Sequence, residues 1–430
     1  MAASDLRRSV SRWQVVGLSI NDVVGSGIYL LPAAAAAYLG SASLWAVALA
    51  GLTVLLMVLC FSEAATYFEG TGGAYLYTRA AFGDFVGFEV GWMTWLARVA
   101  SIASLSVGFA QAVCYLWPAA AAGTSLRPLV IVVPLLVLTY LNWIGVGSGA
   151  RTAVVLVIAK LVPLAVFVAA GIFAFSRQTF SAQASTGPTE LGNAALLLLF
   201  AYAGFENTTA PAGEYRQPRR DIPFALITQI TFVTLLYCAV QAVALGTLPE
   251  VARSETPLAD AAGLFLGSWG GILLTFGAAV SILGTNGNSV LAGPRYLFAL
   301  SRHGYGPRAL ASVHPRYRTP GKALWLQTAI ALPLALSGSF TGLAALSIIA
   351  RLTGYFGTAV AIPVLRRRQA SPDGSFRIPG GLIVPVLAAL LALGLAASAG
   401  RKNLLAGAIA LAVGAAIYAL RRPVEERLED

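Results

Sequence analysis

The chain has 430 residues, of which 57% are hydrophobic and only 11% charged, and its mean hydropathy is +0.75. A soluble domain carries roughly 25% charged residues, so this composition excludes an ordinary water-soluble fold and points to a polytopic membrane protein. The net charge of +11 does not mark a nucleic-acid binder, because the basic residues follow alternate loops rather than forming one patch.

Apolar stretches near the ~20 residues needed to cross a hydrocarbon core recur along the whole chain. Twelve spans are predicted, at 14–38, 43–67, 82–117, 128–147, 151–175, 191–213, 222–247, 262–293, 322–338, 342–365, 379–399 and 403–420. The first follows Arg7 and Arg8 and could pass for a signal peptide. However, Asn21 and Asp22 interrupt its apolar core and the run continues past any cleavage point, so it reads as a retained span. Its middle carries Val23-Val24-Gly25-Ser26-Gly27-Ile28-Tyr29. The sixth span carries a second weak point, Phe200-Ala201-Tyr202-Ala203-Gly204-Phe205-Glu206. Glycine weakens a helix interior by about 1 kcal/mol relative to alanine, so both spans are expected to be discontinuous. Breaks such as Gly40-Ser41-Ala42 and Gly338-Ser339 leave no room for soluble domains, and residues 1–430 read as one transmembrane unit.

Charge sets the expected orientation. With twelve spans both termini share a side. Placing that side in the cytoplasm puts the Lys and Arg residues of the loops there roughly four to one, as the positive-inside rule requires. Three basic residues fall inside spans: Arg98, Lys160 and Arg351. Cys60, Cys114 and Cys238 lie within spans at unrelated spacings, and His303 and His314 are far from any of them in sequence. No disulfide framework, metal site or cofactor is therefore predicted.

The breaks in spans 1 and 6 lie about 178 residues apart, and spans 2 and 7 and spans 3 and 8 repeat that spacing closely. Five spans per copy is an odd number, so the copies (14–175 and 191–365) would be inverted, with 379–420 adding two helices. The expected fold is an all-α membrane protein of twelve helices in a 5+5 inverted repeat, helices 1 and 6 being discontinuous. That is the architecture of many secondary transporters, with the site at the repeat interface.

These motifs carry a family resemblance. Gly25-Ser26-Gly27-Ile28-Tyr29 resembles the first-span glycine motif of the amino acid–polyamine–organocation transporters, and Phe200 to Glu206 is similar to their sixth-span motif. Arg216-Gln217-Pro218-Arg219-Arg220-Asp221-Ile222-Pro223 resembles the loop that follows, with Gln217 where asparagine is usual. The stretch from Pro294-Arg295 to His303-Gly304, then His314 to Pro320, resembles their loop between spans 8 and 9. The resemblance covers spans 1 to 10 in order.

A helix N-terminus aimed at the midplane suits a carboxylate, and Ser26, Gly27 and Ile28 sit where those amides would be. Gly25 and Gly27 could instead serve only close helix packing. The resemblance implies that carbonyls at Val23, Phe200 and Ala203, beside Gly204, hold an amino group, and that Phe200 closes over the substrate, with Tyr202 and Phe205 nearby. It implies a proton-sensitive role for Glu206, the other reading being a partner for an intramembrane arginine. It also implies that Lys160 occupies the place of a sodium site; a buried ammonium can exchange protons. Alternatively, Lys160 is a fixed tether to carbonyls of the first break, with Asp22. Arg98 and Arg351 either pair with Glu206 or recognise a second acidic group on the substrate, and buried charges in membranes usually have partners. Glu63 reads as a helix-end anchor, and Arg366-Arg367-Arg368 as a topology determinant.

The leading functional expectation is a sodium-independent secondary transporter of amino acids in the cytoplasmic membrane, working by proton symport or exchange. An amine/polyamine exchanger or an amino-acid/amine exchanger is the alternative. A membrane-embedded enzyme lacks catalytic spacings, and a channel needs a continuous polar lining.

Overall fold

The computed structural model describes residues 10–70, 72–117, 126–144, 149–182, 191–210, 212, 215–317, 319–369 and 375–420. These residues are helical, with no β-strand among them and one isolated bridge between Val10 and Tyr215. In chain order the helices are α1 (Arg12–Val23), α2 (Ser26–Leu39), α3 (Ser43–Tyr67), α4 (Ala74–Phe82), α5 (Asp84–Leu116), α6 (Leu126–Ile144), α7 (Gly149–Gly171) and α8 (Arg177–Ala182). There follow α9 (Leu191–Tyr202), α10 (Pro218–Thr247), α11 (Pro257–Leu266), α12 (Ser268–Arg302), α13 (Gly321–Ser337), α14 (Phe340–Arg368), α15 (Ile383–Ala397) and α16 (Gly400–Leu420).

Seven helical runs among the described residues are long and apolar enough to cross a membrane. The shortfall against twelve has several local causes. At the two breaks α1 and α9 have only 12 residues each, and α2 runs on with α3 as one of the seven, Ser26–Tyr67. Three more stretches, Val157–Gly171, α13 with 17 residues and α15 with 15, also fall short of the ~20 that span a bilayer. Other boundaries also differ from expectation. Arg216 to Pro223 is not all loop, because Pro218 opens α10, where its missing N–H costs nothing. The stretch from Pro294 is not loop either, since α12 runs through Pro294 to Arg302. The start predicted for span 8 falls inside α11, which turns into α12 at Gly267 (φ 69°). A short helix ahead of span 3 was likewise unforeseen: α4 turns into α5 at Gly83 (φ 88°). The end of the fourth predicted span, residues 145–147, lies outside the described residues.

Burial sorts the helices into a centre and a rim. In their most apolar stretches α5 and α14 are 78% and 72% buried, against 17% for α6 and 11% for α16. The exposed faces of those outer helices are apolar, with Leu129, Val133 and Val137 on α6 and Leu405, Ile409 and Val413 on α16. That is the pattern expected of a lipid-facing surface. At the centre α5 lies along both α12 and α14, and α2 packs on α9.

The two breaks cross at close range. A Cβ on Gly27 would come within 2.5 Å of the Ala201 Cα, and one on Gly204 (φ 126°) within 2.6 Å of the Asp22 carbonyl oxygen. Each break therefore has a glycine where the other break's main chain passes. Real Cβ contacts are not this short, so neither position has room for a side chain.

Ion pairs secure the end of the bundle where α1 begins. Arg12 Nε donates to Asp221 at 3.0 Å, joining α1 to α10. Arg366 donates to both oxygens of Glu63, at 2.6 and 2.7 Å, and the Ile378 amide adds a third bond at 2.8 Å. Glu63 thus anchors α3 to α14 and to the segment ahead of α15. Arg366 is not a free topology charge but half of a buried pair, with side chains 10% and 1% exposed.

Two outcomes are expected. Arg366→Met should cost about 3 kcal/mol by stranding the Glu63 charge. Adding Glu63→Leu should restore much of that loss in thermal unfolding of the detergent-solubilised protein, and equal midpoints for Arg366→Met and the unsubstituted protein would remove the pair from the account. Gly204→Ala should destabilise more than Gly394→Ala, where a Cβ meets open space and alanine favours the helix; equal midpoints would show that the crossing tolerates bulk.

Candidate functional site

The first break opens where α1 stops at Val23. Val24 is extended and Gly25 adopts φ −126°, ψ −143°; α2 then starts at Ser26 with no side-chain cap. A helix end leaves main-chain groups without intrahelical partners, and inside a membrane each must find another. The Lys160 ammonium of α7, fully buried, donates to the carbonyls of Asn21 (2.8 Å) and Val24 (3.0 Å) and to Thr285 Oγ1 (3.1 Å). Ser281 of α12 donates to the Val24 carbonyl at 2.9 Å. The Tyr237 hydroxyl of α10 lies 3.1 Å from the carbonyls of both Val23 and Ala201, bridging the two breaks.

The second break follows α9. The chain turns at Gly204 and continues as a 3₁₀ segment, Phe205–Thr209. Glu206 folds back on this turn, its Oε2 accepting from the Gly204 amide at 3.0 Å and from Tyr355 Oη at 3.1 Å. Its Oε1 accepts from Arg98 Nη2 of α5 and Arg351 Nη1 of α14. Arg351 also donates to Ser347 (3.1 Å) and Ser101 (2.7 Å). The buried carboxylate therefore joins three elements through charge-assisted bonds, which are stronger than neutral ones.

Between the breaks lies a small cavity. Of the residues singled out in the sequence, Asp22, Val23, Gly25, Ser26, Gly27, Arg98, Phe200, Ala203, Gly204 and Arg351 line it. Asp22 accepts from Asn288 Nδ2 at 2.7 Å, and the Phe200 ring meets Phe340 edge-on at 5.9 Å. A second, smaller cavity lies beyond Arg351 and is lined by Phe61, Ala74, Thr94, Glu206, Tyr296, Gly354 and Tyr355 as well as Arg351 itself.

Five of the expected residues stand elsewhere. Ile28 is buried but outside the cavity lining, and Lys160 sits behind the first break. Glu206 faces the second cavity. Tyr202 points away from the cavity, donating to the Val47 carbonyl at 3.0 Å and packing on Tyr237. Phe205 stacks on Tyr355 with ring centroids 5.0 Å apart. Neither aromatic covers the cavity: Tyr202, at the end of α9, faces α3 and α10, and Phe205, at the start of the 3₁₀ segment, turns into the surrounding core. Sequence reasoning missed five lining residues: Ser101, Leu105, Asn207, Thr285 and Ser289. One signal was available, since Ser281, Thr285 and Ser289 recur every fourth residue and form a polar stripe on one face of the apolar α12.

Comparison with known proteins bears on the whole chain. The amino acid permease family model matches residues 10–407. The serine/threonine exchanger SteT of Bacillus subtilis (strain 168) is 30% identical over 394 residues, covering 89% of this chain and 89% of the relative. From the same organism, the branched-chain amino acid permease BcaP is 26% identical, covering 96% and 93%, and the methylthioribose transporter is 27% identical, covering 97% and 94%. The helical bundle, its paired breaks and this similarity from end to end agree: the chain is an integral membrane protein of the amino acid permease family, within the amino acid–polyamine–organocation superfamily.

Proposed function

We propose that this permease carries amino acids across the cytoplasmic membrane by alternating access, without sodium, driven by protons or by exchange for another substrate. The reading takes both termini as cytoplasmic and the chain as twelve spans in a 5+5 inverted repeat. The turns at Gly83 and Gly267 support the repeat, because in each proposed half a short helix swings through a left-handed glycine into the third long span. Relatives of 26–30% identity named for amino acid exchange or permeation support the substrate class.

The observation that carries the reading is the surroundings of Lys160. Carbonyls of Asn21 and Val24 and the hydroxyl of Thr285 converge from α1 and α12 on one point, and the ammonium fills it. Such a cluster of oxygens would suit a small cation. Here a covalently attached one already fills it, leaving no place for sodium. An ammonium held by the carbonyls of a broken helix can also release and regain its proton as that helix moves. The substrate carboxylate would meet the uncapped start of α2 at Ser26 and Gly27, with its amino group facing the Ala203–Asn207 side of the cavity.

In proteoliposomes, uptake of a transported amino acid should be saturable and unchanged when sodium is replaced by choline. It should be stimulated by an inward proton gradient or by internal substrate. Strict sodium dependence would overturn the reading. Lys160→Ala should lower gradient-driven uptake at least tenfold while binding, followed by thermal shift, persists. Normal gradient-driven uptake in that variant would remove Lys160 from coupling and leave it a tether.

A further inference from the structure

We infer that the cavity is built for an amino acid with an acidic side chain, whose second carboxylate seats against Arg98. This deepens the amino acid transport proposed above and rests on it. The first observation is the charge balance at the two breaks. With every group in its ordinary ionised form, Arg98, Arg351 and Lys160 bring three positive charges, while Glu206 and Asp22 bring two negative ones, leaving one cation in excess beside the cavity. A buried charge lacking a counter-charge is disfavoured in the membrane interior. A zwitterion leaves that excess unchanged and a cationic substrate increases it. A substrate of net charge −1 cancels it.

The second observation is where donors stand unused. Each of the three Arg351 nitrogens has a partner, in Ser347, Glu206 and Ser101. Arg98 is not: its Nε is buried with no partner among the described residues, although the side chain is only 1% exposed and lines the cavity. Glu206 holds the guanidinium through Nη2, so the unused Nε is fixed in place. Ser26 Oγ, at the start of α2, and Asn207 Oδ1 are also buried in the lining without partners. Three kinds of group are thus unanswered: an anion-binding helix start with a hydroxyl, an acceptor suited to an ammonium, and a guanidinium N–H. An α-carboxylate, an α-amino group and a side-chain carboxylate would answer them in turn. Arg98 then sets specificity and Arg351 positions Glu206.

The test is uptake of radiolabelled L-glutamate, L-aspartate, L-serine and L-lysine into proteoliposomes of the full chain, side by side. At least one acidic amino acid should be taken up with a kcat/KM at least tenfold above serine and lysine. Serine or lysine matching or exceeding both acids would overturn the inference and leave amino acid transport standing. No uptake of any of the four above empty liposomes would also overturn the inference, and the same result with the remaining amino acids would overturn the transport reading. Arg98→Gln should reduce the acid-to-serine ratio at least tenfold. A proportional fall for every substrate, with the ratio unchanged, would show that Arg98 only supports Glu206. Should Arg98→Gln fail to fold, the comparison in the unsubstituted protein decides alone.

Discussion

The structure depends on one constraint: main-chain N–H and C=O groups exposed where α1 and α9 stop must be satisfied inside a membrane protein, where no bulk water reaches them. Side chains from other elements meet that demand. Lys160, Ser281 and Thr285 converge on the carbonyls at the end of α1, Tyr237 serves both breaks, and Glu206 takes up the amide at Gly204. The start of α2 is the exception, since no side chain caps it. With Arg98 Nε and Asn207 Oδ1, it presents unanswered groups to the cavity from three separate elements.

The buried charges follow from the same constraint. Glu206 is needed to hold the turn at Gly204, and a lone carboxylate at that depth is unfavourable. Two arginines surround it, one from each of the two most buried long helices. This arrangement ties α5, α14 and the second break together. It also forms the wall between the two cavities, because Arg351 borders both while Glu206 faces the second.

Much of this was legible in the sequence, because glycine in an apolar span is a strong signal and the signal occurred twice at matched spacing. The positions of Arg98, Lys160 and Arg351 could be read as well, since charge is rare in such helices. The partners of the broken main chain could not. Tyr237 lies 214 residues from Val23, and Ser281 lies 257 from Val24, on spans whose patterns say only that they are buried. Tyr202 and Phe205 show the other limit. Both are next to a break in sequence, yet the tight turn after Gly204 sends Phe205 onto Phe61 and Tyr355 while Tyr202 reaches back to α3. Proximity along a chain does not fix direction where the helical period is lost.

The Tyr237 hydroxyl has a single proton and sits equidistant from two acceptors on different segments. While it holds that place, the two breaks are joined through one oxygen atom on α10. Any rearrangement that draws Val23 away from Ala201 forces the phenol to choose a side and leaves the other carbonyl bare. A lone hydroxyl on a neighbouring helix thus acts as a latch whose release accompanies every parting of the two segments.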